Sequence, residues 1–315
     1  MTFTITMCFI FFIFFSVSSS PGVLYWSTMD RRPTIALLYD FDKTLTTRDM
    51  QEYTFIPALG LSAEEFWRRA NDLAREEQMD RILAYMKLML DESRRRQKPI
   101  RRADFVALGS ELEFFPGVEE WFAVVNRAGE TLGLAVQHFI ISSGLKEIIE
   151  GSRIGDRFER IYACEYLYDE NGVAVWPKLA VNYTAKTQFL FRINKGVLSV
   201  SEDEPLNAYT AEGDRPVPFR NMIYIGDGMT DVPTMKLVKE SGGASIAVYT
   251  DHTLAIAQRL MNEGRINYYT RADYRETGSL FALVRTIFEK LAAQNTLEYE
   301  MARLRREASE GRLNQ

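Results

Sequence analysis

The feature that most constrains the fold is an apolar run that stops abruptly on two carboxylates. Residues 35–39 are Ile, Ala, Leu, Leu and Tyr, and Asp40 and Asp42 follow directly. A continuous apolar run of this length is typical of a strand buried on both faces, in the middle of a parallel sheet. Ligands of such sheets bind at the carboxyl ends of the strands. Because two adjacent carboxylates repel each other unless a cation or a shared proton relieves them, the pair indicates Mg²⁺.

Composition excludes several other kinds of site. The net charge of −5 gives no reason to expect nucleic acid as a partner. Cys8 and Cys164 are the two cysteines, and their separation fits neither a disulfide framework nor a thiolate zinc site. His138 and His252 are the two histidines, so a His-based metal site is not expected either. Any metal in this protein should therefore have oxygen ligands.

The first 28 residues differ from the rest of the chain. They carry no charged side chain, and residues 7–17 are almost wholly apolar. That run is too short to span a bilayer. Its length suits the core of a secretory signal, but the basic residue that should precede such a core is absent. We expect the protein to start at or near Met29, with residues 1–28 a mis-called extension, and to be cytoplasmic without a stable membrane span. The alternative is export or anchoring through residues 1–28.

The rest of the chain alternates between apolar strand patterns and helical patterns. Further short strands are predicted at 134–141, 221–225, 244–249 and 266–269, with helices between them. Such βα units predict an α/β fold, a Rossmann-like parallel sheet with helices on both faces. A hairpin is expected at 161–176, around Asn171-Gly172.

A block of helical pattern interrupts this alternation after the first strand. It begins with a capping box at Ser62 and Glu65 and contains an apolar stripe over residues 79–90. We therefore expect a helical cap, a candidate lid inserted into a discontinuous core. The predicted division is a core of 29–49 and 115–292, a cap of 50–114 and a charged C-terminal tail of 293–315.

Polar groups stand at the ends of three predicted strands. They are Asp40 and Asp42, Ser142, and Asp227 and Asp231. An EF-hand loop at Asp40 is excluded, since Leu45 and Gln51 stand where that loop needs Gly and Glu.

Taken singly, the remaining groups have ordinary explanations. Ser142 or Ser143 could cap the following helix, Asp227 could lie in a turn, and Lys186 could be a surface lysine. Taken together, carboxylates could hold a hard cation while a hydroxyl and an ammonium contact phosphate. A carboxylate can also accept a phosphoryl group as an aspartyl phosphate.

At these residues the sequence resembles the haloacid dehalogenase-like hydrolase superfamily over roughly residues 33–290. The matching motifs, in chain order, are DFDKTLT at 40–46, IISSG at 140–144, Lys186, and GDGMTD at 226–231. The resemblance implies a phosphatase, because dehalogenases of the superfamily lack the second carboxylate, here Asp42.

The resemblance also implies a role for each residue. Asp40 would be the nucleophile and a Mg²⁺ ligand, and Asp42 the general acid/base that binds the metal through its backbone carbonyl. Ser142, with Ser143 beside it, and Lys186 would hold the phosphoryl group. Asp227 would ligate Mg²⁺ with support from Asp231.

The helical insertion and the hairpin resemble the phosphoserine phosphatase branch of the superfamily. Asp49 stands where that branch has a Glu contacting the substrate's ammonium group, so it is a candidate substrate-selecting residue. The stretch that aligns with the branch's carboxylate-binding arginine, residues 82–86, holds no arginine.

The sequence thus predicts a Mg²⁺-dependent phosphatase of a small phosphorylated metabolite. A phosphomutase using the same site, and a phospho-ligand sensor without turnover, are the alternatives. The intact Asp40/Asp42 pair argues against a sensor, which has no need of a general acid/base.

Overall fold

The computed structural model describes residues 32–53 and 55–313, with side chains as far as residue 309. The predictions for residues 1–28, including a start at Met29 and the location in the cell, lie outside this part of the chain. Within the described residues, no helix combines the length and the apolar character needed to cross a membrane.

The centre of the protein is a seven-stranded sheet. Its strands are β1 (Thr34–Tyr39), β2 (Ala135–Leu145), β3 (Arg160–Tyr168), β4 (Ala174–Leu179), β5 (Met222–Gly226), β6 (Ala244–Tyr249) and β7 (Tyr268–Arg271). They are ordered β4-β3-β2-β1-β5-β6-β7. All neighbours run parallel except β3 and β4, which form the predicted antiparallel hairpin.

The strand order divides the sheet at β1. From β1 the chain moves outward through β2 and β3, then returns to β5 and moves outward the other way. Because parallel crossovers are right-handed, opposite directions of travel place the connecting helices on opposite faces. The predicted Rossmann-like sheet with helices on both faces is confirmed. The order reverses between β1 and β5, where ligands of such folds bind.

Eleven α-helices are described. They are α1 (Phe55–Ala58), α2 (Ala63–Glu76), α3 (Arg81–Arg95), α4 (Arg102–Leu108), α5 (Val118–Thr131), α6 (Lys146–Glu150), α7 (Lys186–Lys195), α8 (Glu204–Asn207), α9 (Val232–Glu240), α10 (Leu254–Asn262) and α11 (Ser279–Leu313). Short 3₁₀ turns lie between several of them, including Met50–Glu52 and Met229–Asp231.

Helices α1 to α4 occupy the insertion between β1 and β2. Ser62 begins α2 and its side chain accepts the Glu65 N–H, which is half of the predicted capping box. The Glu65 carboxylate instead pairs with Arg69. The segments leading into and out of the insertion lie side by side, with an antiparallel bridge between Thr46 and Phe114. The division into a cap of 50–114 and a core stays a prediction.

The inserted helices pack closely on the rest of the protein. Helix α4 lies against α6 so tightly that a Cβ added at Gly151 would be 1.8 Å from the Val106 carbonyl oxygen. The hydroxyl of Tyr166, on β3, donates to the Met86 carbonyl at 2.8 Å. Buried apolar side chains of the sheet and of the inserted helices form one continuous cluster.

A buried polar chain joins the first two strands to α5. Trp121 Nε1 donates to the Tyr39 hydroxyl at 2.9 Å, and that hydroxyl donates to His138 Nδ1 at 2.9 Å. His138 Nε2 lies 2.9 Å from Asn126 Oδ1 and donates to it. Burial lowers the pKa of His138 to about 3, so the imidazole is neutral and serves as a structural group.

Candidate active site

The register of the central strands brings the predicted residues together. Tyr39, the last residue of β1, pairs with Ile140 of β2 and with Ile225 of β5. The Asp40 N–H donates to the Ile225 carbonyl at 3.0 Å. The residues that follow each strand therefore meet at one edge of the sheet, at the point where the strand order reverses.

A cavity of about 390 Å³ opens at this edge. Seven of the eight predicted site residues line it: Asp40, Asp42, Asp49, Ser142, Ser143, Lys186 and Asp227. The eighth, Asp231, is fully buried and bonds to Lys186 behind the cavity wall.

Lys186 connects two of the carboxylates. It is the first residue of α7 and is almost fully buried, and its Nζ lies 2.9 Å from Asp40 Oδ1 and 2.7 Å from Asp231 Oδ1. The Tyr224 hydroxyl, on β5, also donates to Asp231 Oδ1, at 2.7 Å. A buried ammonium with two carboxylate partners is fixed in place, because breaking either pair would leave an uncompensated buried charge.

The pKa values show that negative charge is in excess here. Burial, followed by repulsion from Asp231, raises the pKa of Asp40 to about 6 in spite of the ion pair with Lys186. Burial and the neighbouring carboxylates Asp231 and Asp40 likewise raise the pKa of Asp227 well above its usual value. Although burial alone lowers the pKa of Lys186, attraction to Asp231 and Asp40 outweighs it and raises that pKa. A cation would relieve the remaining repulsion.

The arrangement fits a divalent metal ion. One carboxylate oxygen from each of Asp40, Asp227 and Asp231 lies within 4.8 Å of the others. Asp231 Oδ2 is buried and has no hydrogen-bond partner among the described residues. An all-oxygen donor set of this kind is the type that Mg²⁺ prefers. The Asp42 carboxylate is not part of this cluster.

Asp42 also lines the cavity and is held there by a backbone hydrogen bond. Its Oδ1 accepts the Met50 N–H at 2.7 Å. The end of β2 passes so close that a Cβ at Gly144 would lie 2.8 Å from Asp42 Oδ2 and 2.2 Å from Met50 Cε. Burial, then repulsion from Asp49 and Asp40, raises the pKa of Asp42 well above its usual value. A carboxyl group of raised pKa keeps its proton more readily than an ordinary aspartic acid, as a proton donor must.

The two serines differ in their hydrogen bonds. Strand β2 runs through both of them to Leu145, although the sequence predicted that it ends at residue 141. Ser142 Oγ accepts the Gly144 N–H at 3.1 Å, which leaves its own proton free for an anion. Ser143 Oγ donates to the Val181 carbonyl at 2.7 Å. The geometry therefore favours Ser142 for a phosphoryl contact.

A family model matches the part of the chain that contains this cavity. The model described as haloacid dehalogenase-like hydrolase matches residues 37–236. The chain belongs to the haloacid dehalogenase-like hydrolase family.

Other proteins are similar to this hydrolase over most of its length. An uncharacterized protein of Borreliella burgdorferi is 27% identical over 289 residues, 80% of this chain and 95% of that protein. A haloacid dehalogenase family hydrolase of Salmonella enterica serovar Typhi has a similar structure, with TM-score 0.53, 17% identity and coverage of 79% of this chain and 69% of that one. A substrate-bound phosphoserine phosphatase gives TM-score 0.51 and 14% identity over 78% and 97% of the two chains. At these identities the structural likenesses show a common fold.

Several groups around the hydrolase site were not singled out from the sequence. Tyr224 bonds to Asp231, and the side chain of Asn182, in the segment before α7, donates to Asp80 Oδ2 of the insertion at 2.8 Å. The cavity wall that the insertion contributes includes Trp67, Ala70, Asn71, Arg81, Ile82 and Tyr85. Asp80 is a typical N-cap residue and precedes α3. This pattern in the sequence places Arg81 at the first position of that helix.

Arg81 lies directly before the stretch in which the sequence comparison found no arginine. Its Nε and Nη2 donate to Asn71 Oδ1 at 3.1 and 2.7 Å, so its described partner is neutral. The guanidinium thus keeps its full positive charge at the mouth of the cavity.

The carboxylate of Asp49 is paired within the hydrolase itself. Lys43 Nζ lies 2.5 Å from Asp49 Oδ2, and both residues line the cavity. Lys43 follows Asp42 directly and adopts a left-handed backbone conformation with φ of 57°.

Proposed function

We propose that this protein is a Mg²⁺-dependent phosphatase that hydrolyses a small phosphorylated metabolite through an aspartyl phosphate on Asp40. The observation that carries the proposal is the surroundings of Asp40. It lies at the base of the cavity, in contact with the buried Lys186 ammonium and beside the carboxylates of Asp227 and Asp231. A structural carboxylate needs no such access to a cavity.

The first half-reaction transfers the phosphoryl group to the enzyme. An Asp40 oxygen attacks phosphorus, the bond from phosphorus to the ester oxygen breaks, and Asp42 donates its proton to the departing alkoxide. Asp40, Asp227 and Asp231 would hold Mg²⁺, which when bound neutralises charge on the phosphoryl oxygens. Ser142 and Lys186 would donate hydrogen bonds to the same oxygens, which orients the group for in-line attack.

The second half-reaction returns Asp40 to its starting state. Asp42, now ionised, removes a proton from a water molecule, which attacks the phosphorus of the aspartyl phosphate and releases inorganic phosphate. The same carboxyl group thus acts first as an acid and then as a base. Its bond from the Met50 N–H keeps it beside the cavity in both steps.

Family membership and the common fold with a phosphoserine phosphatase support this choice. The likeness concerns the fold, so the identity of the phosphorylated substrate remains part of the proposal. The cavity volume of about 390 Å³ suits a small metabolite.

Hydrolysis of p-nitrophenyl phosphate, with Mg²⁺ and with a chelator, tests the proposal. We expect release of phosphate that requires Mg²⁺, and loss of turnover to background in Asp40→Asn. The exposed Asp214, which does not line the cavity, provides a matched control, and Asp214→Asn should retain activity. Transfer of phosphate to a second sugar hydroxyl would instead indicate a phosphomutase. Binding without turnover would indicate a sensor, and turnover by Asp40→Asn would exclude the assigned nucleophile.

A further inference from the structure

We propose that Lys43 determines specificity by occupying the Asp49 carboxylate, so that the enzyme favours phosphate monoesters whose alcohol carries no positive charge. This inference rests on the proposed phosphatase function. It names a class of substrate and assigns a role to a residue that had none.

The geometry of the pair is the first support. Lys43 Nζ and Asp49 Oδ2 are 2.5 Å apart, and the two side chains are 49% and 24% exposed. Both line the cavity, so a substrate group would meet them already paired. An ammonium group on the substrate would have to displace one that the chain itself supplies.

The backbone around Lys43 keeps that ammonium close. Lys43 is one of three non-glycine residues with positive φ in the described part of the chain, the others being Gln78 and Gln97. The turn is fixed because the N–H groups of Leu45 and Thr46 both donate to the Phe41 carbonyl. Non-glycine residues rarely adopt this backbone conformation, and those that do cluster at functional sites. A tethered ammonium has a high effective concentration at Asp49, against which a free one must compete.

The other charges on this side of the cavity act in the same direction. Arg81, whose described partner is the neutral Asn71 side chain, adds a second cationic group to the part of the cavity that the insertion lines. Glu52 is the next acidic side chain, but its Oε1 accepts the Trp67 indole N–H at 3.0 Å and it does not line the cavity. A cationic alcohol would therefore find the Asp49 carboxylate already paired and would be repelled by Lys43 and Arg81, which is the kind of element that excludes a wrong substrate.

The remaining wall suits a neutral group. Trp67 and Tyr85 pack edge to face, with ring centroids 5.8 Å apart, and Ile82 lies on the same side of the cavity. These surfaces can cover the apolar part of an alcohol.

Two substrates with the same number of heavy atoms test the inference, namely 2-aminoethyl phosphate and propyl phosphate. We expect the wild-type enzyme to have a kcat/KM for propyl phosphate at least about tenfold higher, since tenfold is the effect of a modest charge interaction. Lys43→Met keeps the length of the side chain and frees Asp49. It should raise the ratio of aminoethyl to propyl turnover by about tenfold. Adding Asp49→Asn should cancel that gain, and Lys236→Met, a change of an exposed lysine outside the cavity, should leave the ratio as in wild type.

The ratio removes any loss that both substrates share, so a general defect does not imitate the effect. If Lys43→Met does not fold, Asp49→Asn alone applies the same test, because a released Lys43 should lower the ratio further. A wild-type preference for 2-aminoethyl phosphate, a ratio unmoved by Lys43→Met, or a ratio raised by Asp49→Asn would each overturn the inference. In those cases turnover of p-nitrophenyl phosphate would show that the phosphatase function still stands. Absence of turnover with all three esters would overturn that function and, with it, this inference.

Discussion

Asp40 and Asp42 are two residues apart in the chain, yet their surroundings give them different chemistry. Asp40 is paired with the buried Lys186 ammonium. The Asp42 carboxylate instead accepts a hydrogen bond from the neutral Met50 N–H. The Lys186 ammonium thus favours the anionic form that the proposed nucleophile needs and partly offsets the burial that raises the pKa of Asp40. Asp42 retains a proton more readily, as an acid requires.

This difference predicts the behaviour of Asp42→Asn. The variant should keep the metal cluster, since the Asp42 carboxylate is not part of it, but should lose the proton donor and the base. We expect turnover of propyl phosphate to fall by about 10²–10⁴-fold. The loss in the first half-reaction should be smaller for p-nitrophenyl phosphate, whose leaving group hardly needs a proton. Rapid-quench kinetics would measure both steps, and full steady-state turnover by the variant would show that Asp42 has been given the wrong role.

The buried His138 gives a second prediction at this scale, for stability rather than activity. Its pKa is about 3 in the folded protein, against about 6.5 in an unfolded chain, so between these values the unfolded state binds more protons. Stability therefore rises with pH through this range and is lost as the pH falls below about 6.5. We expect His138 to account for about 2 kcal/mol of the difference in unfolding free energy between pH 7 and pH 5.

Urea unfolding at the two pH values would measure this. His138→Gln should reduce the difference by that amount, although the variant is less stable at both pH values because it disturbs the bond to Tyr39. His252→Gln, at an exposed position, is the control. An unchanged pH dependence in His138→Gln would contradict the assignment.

At the scale of elements, the ends of strands determine what the site can hold. Gly226 ends β5, and a Cβ there would lie 2.4 Å from Asp231 Oδ2. A side chain at this position would push that oxygen out of the carboxylate cluster. The absence of a side chain is thus part of the proposed metal site.

Gly226→Ala should therefore weaken Mg²⁺ binding more than it disturbs the fold. Changes beside metal ligands typically lower affinity about 10- to 100-fold, and we expect a loss in this range, measured by calorimetric titration with Mg²⁺. Gly213→Ala is the matched control, because a Cβ there meets nothing within 4 Å. Equal Mg²⁺ affinity in the two variants would show that Asp231 is not close to the ion.

The elements also show how far the sequence alone could lead. Strand β6 has the predicted bounds, because an apolar run between clear breakers leaves little choice. The end of β2 was misplaced, because polar Ser142 and Ser143 look like a loop and only the pairing of Leu145 with Cys164 extends the strand. The charged residues after 292 continue α11, since a helix can remain regular while it is solvated on most sides.

Some residues of the site could be predicted from short sequence motifs, whereas others could be found only from contacts between distant parts of the chain. Asp40, Ser142, Lys186 and Asp227 could be chosen from the sequence because each stands in a short motif at the end or start of an element. The partners Tyr224, Asn182 and Lys43 could not, because their contacts depend on how separate elements meet. A lysine after Asp42 carries no local sign that it will reach Asp49.

In the molecule as a whole, the insertion and the sheet share one apolar core. Trp121 of α5 belongs to one continuous buried cluster, and the partly buried Trp67 of α2 packs against that cluster, although the two residues lie on different sides of the predicted boundary between cap and core. Elements that bury the same surface lose their stability together. The described chain from Pro33 onward is accordingly one compact unit.

We therefore expect a single cooperative unfolding transition. In a variant that keeps only Trp67 and in another that keeps only Trp121, the fluorescence midpoint in urea should coincide with the far-UV circular dichroism midpoint of the same variant. Comparing two probes within one chain removes the effect of the substitutions themselves. A Trp67 midpoint at lower urea than the circular dichroism midpoint would show that the inserted helices unfold separately.

The antiparallel bridge between Thr46 and Phe114 has a consequence for how such a protein can change over time. Because the insertion leaves and rejoins the sheet at neighbouring points, its length hardly affects the cost of closing the chain, about 0.6 kcal/mol for each doubling. The inserted helices that line the cavity could be lengthened, shortened or replaced while Asp40, Lys186 and Asp227 keep their places at the ends of their elements. The proposed selection of the alcohol could therefore change with the insertion, while the proposed chemistry at the phosphate stays with the sheet.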